Sequence, residues 1–150
     1  MLDLTLAVLH HLIVFALVGV VLMELVSVRS GMDIRAVQRV AAMDLGYAML
    51  AGLVLLVGFT RAVLAAKGWE YYSANPFFWA KIGTFMIIGL LSIAPTVSYL
   101  RWRKAGTAPT DQAVATVRLF LLAEVVLFAP LLAFAATMAR GTGSQRAASG

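Results

Sequence analysis

The sequence has no cysteine and few charged residues, and each absence narrows the range of functions. Without cysteine, the chain forms no disulfide bond, no thiolate zinc site and no cysteine-ligated iron–sulfur cluster. Charged residues make up 13% of the chain, about half of what a soluble globular domain carries. The sequence also contains no phosphate-binding loop, dinucleotide-binding motif or serine-type triad motif. Histidine, methionine and carboxylate side chains are therefore the metal ligands that remain.

Hydrophobic residues account for 62% of the chain, and the mean hydropathy is +0.92. A soluble domain of 150 residues has too little interior to bury so many apolar side chains, so lipid is the expected solvent. The net charge of +5 comes from basic residues that lie in short segments between the apolar runs. That distribution is typical of membrane topology, and a nucleic-acid partner is not expected.

Four apolar stretches are each longer than the roughly 20 residues that a helix needs to cross the hydrocarbon core. They span approximately residues 4–28, 40–63, 77–100 and 117–138. Strand-like alternation is absent from these stretches, and helices satisfy the backbone within lipid. We expect an all-α integral membrane four-helix bundle, with a single domain over residues 1–140 and a disordered tail over 141–150.

Basic residues are distributed unevenly between the connecting segments and predict an orientation. Two segments hold most of them: Arg29, Arg35 and Arg39 in one, and Arg101, Arg103 and Lys104 in the other. By the positive-inside rule these segments face the cytoplasm, which places both termini in the periplasm of a bacterial inner membrane. The aromatic segment 69–79 then lies along the outer headgroups, with a helix start after Asn75 and Pro76.

Ionisable side chains inside the spans need an explanation, because one near the bilayer centre costs about 2.5 to 3.5 kcal/mol on insertion scales. The expected orientation and the helical rise place His10 and Lys81 in the outer leaflet. They place Glu24, Asp44 and Glu124 toward the cytoplasmic half. The bundle should therefore contain two polar layers.

The outer layer has alternative interpretations. His10 is either a metal ligand or proton-transfer group, or a hydrogen-bonded interfacial histidine. His11 points about 100° away from His10 around the helix, so the two side chains do not easily bind one metal ion. Lys81 is either a functional cation or a side chain that extends its ammonium group to the headgroups.

The inner layer also has a structural and a functional interpretation. Glu24 and Asp44 are expected to be neutralised by arginines of the inner segments, and Arg118 is expected to pair with Asp111 or Glu124. Glu124 lies deepest in its span, so its alternative role is the binding of a proton or cation.

Histidine without cysteine, facing a cavity in lipid, indicates haem or copper as the metal centre, since imidazole ligates both. Methionines could supply soft copper ligands, but their spacing along the chain forms no cluster: Met23, Met43, Met49 and Met86. Haem is therefore favoured over copper.

Two segments carry a family resemblance, Leu9-His-His-Leu-Ile-Val-Phe15 and Asn75-Pro-Phe-Phe-Trp-Ala-Lys81. With the four-span length, they resemble a family of small bacterial integral membrane proteins known as a domain of unknown function. The resemblance covers nearly the whole chain and implies the topology, without an activity.

A more distant resemblance is to the HemJ family of membrane protoporphyrinogen oxidases, which have an essential histidine in the first helix and an essential lysine that follows a tryptophan. His10 and Lys81 stand at the matching positions, and Arg118 and Glu124 loosely match an arginine and an acidic residue of the last helix. The family's Asn-Glu-Val-Pro run appears here as Ala123-Glu-Val-Val126, which is a departure from the pattern.

The HemJ resemblance implies haem b as cofactor and a porphyrin substrate that is oxidised with an unknown electron acceptor. His10 would be the axial ligand of the iron, and Lys81 would clamp a propionate or act as a base. Arg118 would help to bind the cofactor, and Glu124 would join Lys81 as a catalytic residue.

Two other functions remain open, a transport or ion-conducting component that uses the inner carboxylates, and an accessory subunit without chemistry. A homodimer is expected in each case, because small residues allow close helix approach at Gly46, Gly52, Gly83 and Gly89.

Overall fold

The computed structural model describes residues 1–64 and 68–140, and every regular element in these ranges is a helix. The elements in chain order are α1 (Leu2–Ser27), α2 (Ile34–Leu64), α3 (Gly68–Ser73), α4 (Pro76–Ala105) and α5 (Asp111–Ala139). Four of them, α1, α2, α4 and α5, are long and apolar enough to cross a membrane. The expected all-α four-span architecture is confirmed, while the expected disordered tail, 141–150, lies outside the described residues.

Three of the spanning helices extend beyond the apolar stretches that predict them. Helix α2 begins at Ile34, α4 continues to Ala105, and α5 begins at Asp111. A 30-residue helix is about 45 Å long, which matches a bilayer with its headgroup regions. The added turns carry charged and polar side chains, so hydropathy alone underestimates helix length at these helix ends.

Side chains at the helix starts explain where the long helices begin. Asp33 Oδ1 accepts a hydrogen bond from the backbone N–H of Ala36 at 2.8 Å, just before α2. Asn75 Oδ1 accepts one from the N–H of Phe77 at 3.0 Å, and Pro76 occupies the first helical position of α4, where its missing N–H has no cost. The predicted helix start after Asn75 is confirmed.

The four spanning helices form a ring in which each packs against two neighbours. Helix α1 packs on α2 and α5, and α4 also packs on α2 and α5, while short α3 lies against α2 and α4. The short connections between consecutive helices are typical of antiparallel neighbours in a bundle. Large side chains fill the centre of the ring, among them Leu17, Ile88, Tyr99, Leu121 and Phe128.

The outside of the ring is apolar along its length. Many large hydrophobic side chains there are more than two-fifths exposed, among them Phe15, Leu45, Leu56, Leu90 and Val126. An apolar exterior of this extent is what a lipid solvent requires. The chain is therefore a multi-pass membrane protein.

The glycines assigned to a dimer contact lie where another helix has room to approach. A Cβ atom added at Gly46, Gly52, Gly83 or Gly89 would meet no heavy atom within 4 Å. A homodimer through these glycines stays a prediction.

Candidate functional site

A cleft opens between the four spanning helices toward the end of the bundle that carries α3, and we call it the outer cleft. Its walls include Leu17, Phe85, Phe128 and Leu131, and its polar side chains are His10 and Lys81. The expectation that His10 and Lys81 share one layer is confirmed, because both side chains line this cleft and the smaller pocket beside it.

His10 projects into the cleft with an unused hydrogen-bonding atom. Its Nδ1 is buried and has no hydrogen-bond partner within residues 1–64 and 68–140. The ring lies close to Gly58 of α2, where an added Cβ would approach Cε1 of His10 to 3.2 Å and Nδ1 to 3.6 Å. Glycine at position 58 therefore leaves the space that the imidazole occupies.

His11 is placed differently, although its ring stands edge-on to that of His10 with 6.0 Å between centroids. The Nδ1 of His11 donates a hydrogen bond to the backbone carbonyl of Ala7 at 2.6 Å, and the side chain is exposed. This hydrogen bond within α1 agrees with the interfacial interpretation of His11. Of the two histidines, His10 is the one that lines the cleft.

Lys81 lies on the opposite side of the cleft, on α4. Its ammonium nitrogen is 5.5 Å from the centroid of the Phe78 ring, within the range of a cation–π contact. Arg61 lines the smaller pocket, and its Nε forms an ion pair with Asp3 Oδ1 at 3.3 Å. Lys81 forms no ion pair with a described residue, so its charge is available to an acidic ligand.

A second group of polar side chains lies deeper in the ring, and we call it the inner polar cluster. Its members come from all four spanning helices: Glu24, Asp44, Tyr47, Thr96, Tyr99 and Glu124. The hydroxyl of Tyr47 donates to Glu124 Oε2 at 3.0 Å, and that of Thr96 donates to Asp44 Oδ1 at 2.9 Å. The expected inner layer of three carboxylates is confirmed as a buried cluster.

The expected neutralisation of these carboxylates by arginine is wrong for the described residues. None of the three forms an ion pair with a basic side chain there. Arg118 forms no ion pair with Asp111 or Glu124. Its Nη1 donates instead to the backbone carbonyls of Leu25 and Val28. The last carbonyls of a helix have no partner within the helix, so the C-terminus of α1 competes successfully for this guanidinium.

The predicted site residues do not all lie in the same polar layer. His10 and Lys81 meet in the outer cleft, whereas Arg118 and Glu124 do not line it. The described residues also contain no group of three histidine, cysteine or carboxylate side chains placed to hold a metal ion. A metal ion bound by His10 would therefore need most of its ligands from a source other than these side chains. A porphyrin supplies such ligands to its iron.

Sequence reasoning missed Gly58, Tyr47 and Thr96. A signal existed for Tyr47, because it follows Asp44 by three residues and so shares its helix face. Gly58 and Thr96 gave none, since their roles depend on the neighbouring helix that each faces.

The family model described as "Predicted membrane protein (DUF2214)" matches residues 2–143 of the chain. No curated protein and no solved structure matches it.

Proposed function

Because the chain belongs to the DUF2214 family of predicted membrane proteins, whose description names no activity, we propose a function from the outer cleft. The protein binds haem b within the membrane and acts as an oxidoreductase of porphyrin metabolism. The observation that carries the proposal is a buried, unpartnered nitrogen of His10 in the apolar cleft that also holds the Lys81 side chain.

The residues of the cleft fit a haem in chemistry. Small-molecule pockets are mostly apolar with few polar groups, and the outer cleft has this composition. The porphyrin would supply the other iron ligands, so His10 alone would suffice as the protein ligand. When bound, the haem would supply one-electron redox chemistry.

His10 is the residue assigned to the iron. A neutral imidazole is the commonest metal ligand in proteins, and a ring nitrogen without a hydrogen-bond partner is free to take that role. Close packing against Gly58 restricts the ring and would keep it directed into the cleft. Among the residues that the structure describes, no other histidine and no methionine lines this cleft.

Lys81 is the residue assigned to an acidic group of the ligand. An ammonium group is a compact point charge that pairs well with a carboxylate, and a propionate is the carboxylate of haem. Phe78 beside it holds the charge at the wall of the cleft. Because Arg61 is paired with Asp3, Lys81 is the better candidate for the propionate clamp, and it stands where it could also accept a substrate proton.

The proposal predicts a visible absorption spectrum. Purified protein, oxidised and then reduced with dithionite, should show a Soret band with b-type features, and His10→Ala should lose them. Lys81→Ala should bind haem with an affinity lower by on the order of tenfold or more, since a charge-assisted hydrogen bond contributes about 1.5 to 3 kcal/mol.

A matched glycine pair controls for general damage to α2. Gly58→Ala should weaken haem binding because the new methyl group presses on the His10 ring, whereas Gly52→Ala has open space and should bind as the parent does. The proposal fails if protein expressed with a haem precursor shows no Soret band, or if the band is the same in His10→Ala.

The membrane orientation is part of the proposal. Basic residues at the inner helix ends, Arg101 and Arg103 among them, and Asp3 with α3 at the other end support termini in the periplasm of a bacterial inner membrane. A reporter that is active only in the periplasm should therefore be active when fused after Gly150 and inactive when inserted after Gly106. The reverse pattern would invert the topology.

A further inference from the structure

The haem proposal gives no role to the carboxyl groups of the inner polar cluster. Three carboxyl side chains are almost completely buried there, with exposed fractions of 2% for Glu24, 7% for Asp44 and 1% for Glu124. Glu24 lies within electrostatic range of both other carboxyls. A buried charge needs a partner, and no basic side chain among the described residues forms an ion pair with any of the three.

The arginines closest in sequence to these carboxyl groups do not neutralise them. Arg118, six residues before Glu124 on α5, is held by the carbonyls of Leu25 and Val28. Arg35 and Arg39 lie in the first turns of α2 with exposed side chains. The remaining groups of the cluster, Tyr47, Thr96 and Tyr99, carry no positive charge.

An independent observation on α4 indicates that the cluster binds a proton or a cation. The Tyr99 side chain is completely buried, lies within electrostatic range of all three carboxyls, and its hydroxyl has no hydrogen-bond partner within the described residues. Glu24 Oε1 and Glu124 Oε1 are also buried and have no hydrogen-bond partner among the described residues. Three buried oxygens from three helices can therefore take part in binding a proton or a cation.

The two possible occupants differ in the geometry that they need. A metal cation requires several oxygen ligands around one point, and the described histidine and carboxyl side chains contain no group of three that provides it. A proton needs only one carboxyl oxygen, and it turns that oxygen into a hydrogen-bond donor while it removes the charge. The arrangement therefore favours protons.

We propose that the inner polar cluster is a proton-binding site, in which Glu24 and Glu124 carry exchangeable protons. Glu24 and Glu124 hold the unpartnered oxygens, whereas neither oxygen of Asp44 is both buried and unpartnered. The hydroxyl of Thr96 contacts both Asp44 Oδ1 and the carbonyl of Ser92, so Asp44 already has a hydrogen-bond partner in the cluster. Glu24 lies one turn from the end of α1 that the proposed orientation places in the cytoplasm, so protons exchange with that side.

Infrared spectroscopy of the full chain in lipid nanodiscs tests this proposal directly, because a protonated carboxyl group absorbs apart from a carboxylate. The native protein should show a protonated-carboxyl band at neutral pH that disappears when the pH is raised. Glu24→Gln and Glu124→Gln should each remove part of the band, and the double variant should remove more of it than either single variant. Asp3→Asn, at the ion pair on the other end of the bundle, should leave the band unchanged.

The native protein keeps the proposal testable even where a variant does not fold. Absence of the band from native protein at neutral pH would overturn the proposal, as would a band that Glu24→Gln and Glu124→Gln leave intact. A band that sodium ions suppress and potassium ions restore would identify a metal site instead. None of these readouts requires haem, so this proposal and the haem proposal fail independently.

Discussion

Replacing Arg118 with alanine is expected to lower the free energy of unfolding by about 3 kcal/mol. The guanidinium donates two hydrogen bonds from α5 to the carbonyls of Leu25 and Val28, which end α1. Hydrogen bonds from a charged donor contribute about 1.5 to 3 kcal/mol each, and partly buried carbonyls lose that without a replacement. The positive charge also interacts favourably with the C-terminus of α1. Unfolding in mixed detergent micelles, followed by circular dichroism, measures the change.

Two further variants separate the hydrogen bonds from the charge. Arg101→Ala removes an exposed arginine at the end of α4 that makes no described ion pair, and it should change stability by less than about 0.5 kcal/mol. Arg118→Lys keeps the charge but loses the planar guanidinium whose Nη1 makes both hydrogen bonds, so its stability should fall between those of the parent and Arg118→Ala. If Arg118→Ala unfolds like Arg101→Ala, the contact with α1 does not stabilise the bundle.

The position of Arg118 illustrates what the sequence could not provide. Helix number and the depth of each ionisable group follow from hydropathy, helical rise and the basic segments, which is why His10 and Lys81 could be assigned to one layer. The rotation of each helix about its axis does not follow, because spans that are apolar on all sides show no single buried stripe. Partners across helices, such as Arg118 with Leu25 or Tyr47 with Glu124, depend on that rotation.

The two polar layers are distinct sites within one bundle. His10 and Glu24 lie fourteen residues apart on α1, which is about 21 Å along the axis. Buried apolar side chains occupy the interior between them, including Leu17, Val21 and Phe128. Among the described residues, no continuous chain of hydrogen bonds joins the cluster to the cleft. We therefore expect that the proposed proton binding and the proposed haem binding can each be altered without the other.

Leu90→Arg is expected to have a second large effect, because it tests whether the apolar exterior faces lipid. Leu90 lies at the middle of α4, and its side chain is 64% exposed. An arginine at the centre of a span costs about 2.5 to 3.5 kcal/mol on insertion scales, which corresponds to on the order of a hundredfold in an equilibrium. The fraction of full-length chain that resists alkaline extraction from membranes should fall sharply.

Leu100→Arg is the matched control on the same helix. Leu100 is 48% exposed and adjoins Arg101 near the C-terminal end of α4, where a long basic side chain reaches the headgroups and costs little. This variant should remain in the membrane as the parent does. Equal extraction of the two variants would mean that the cost of a charge does not depend on depth along α4, and the exposed face around Leu90 would then not be embedded in the hydrocarbon core. If α4 faces lipid, only Leu90→Arg should lower the fraction of chain that resists extraction. At position 90 the guanidinium is too far from water to stay hydrated, whereas at position 100 it reaches the headgroups.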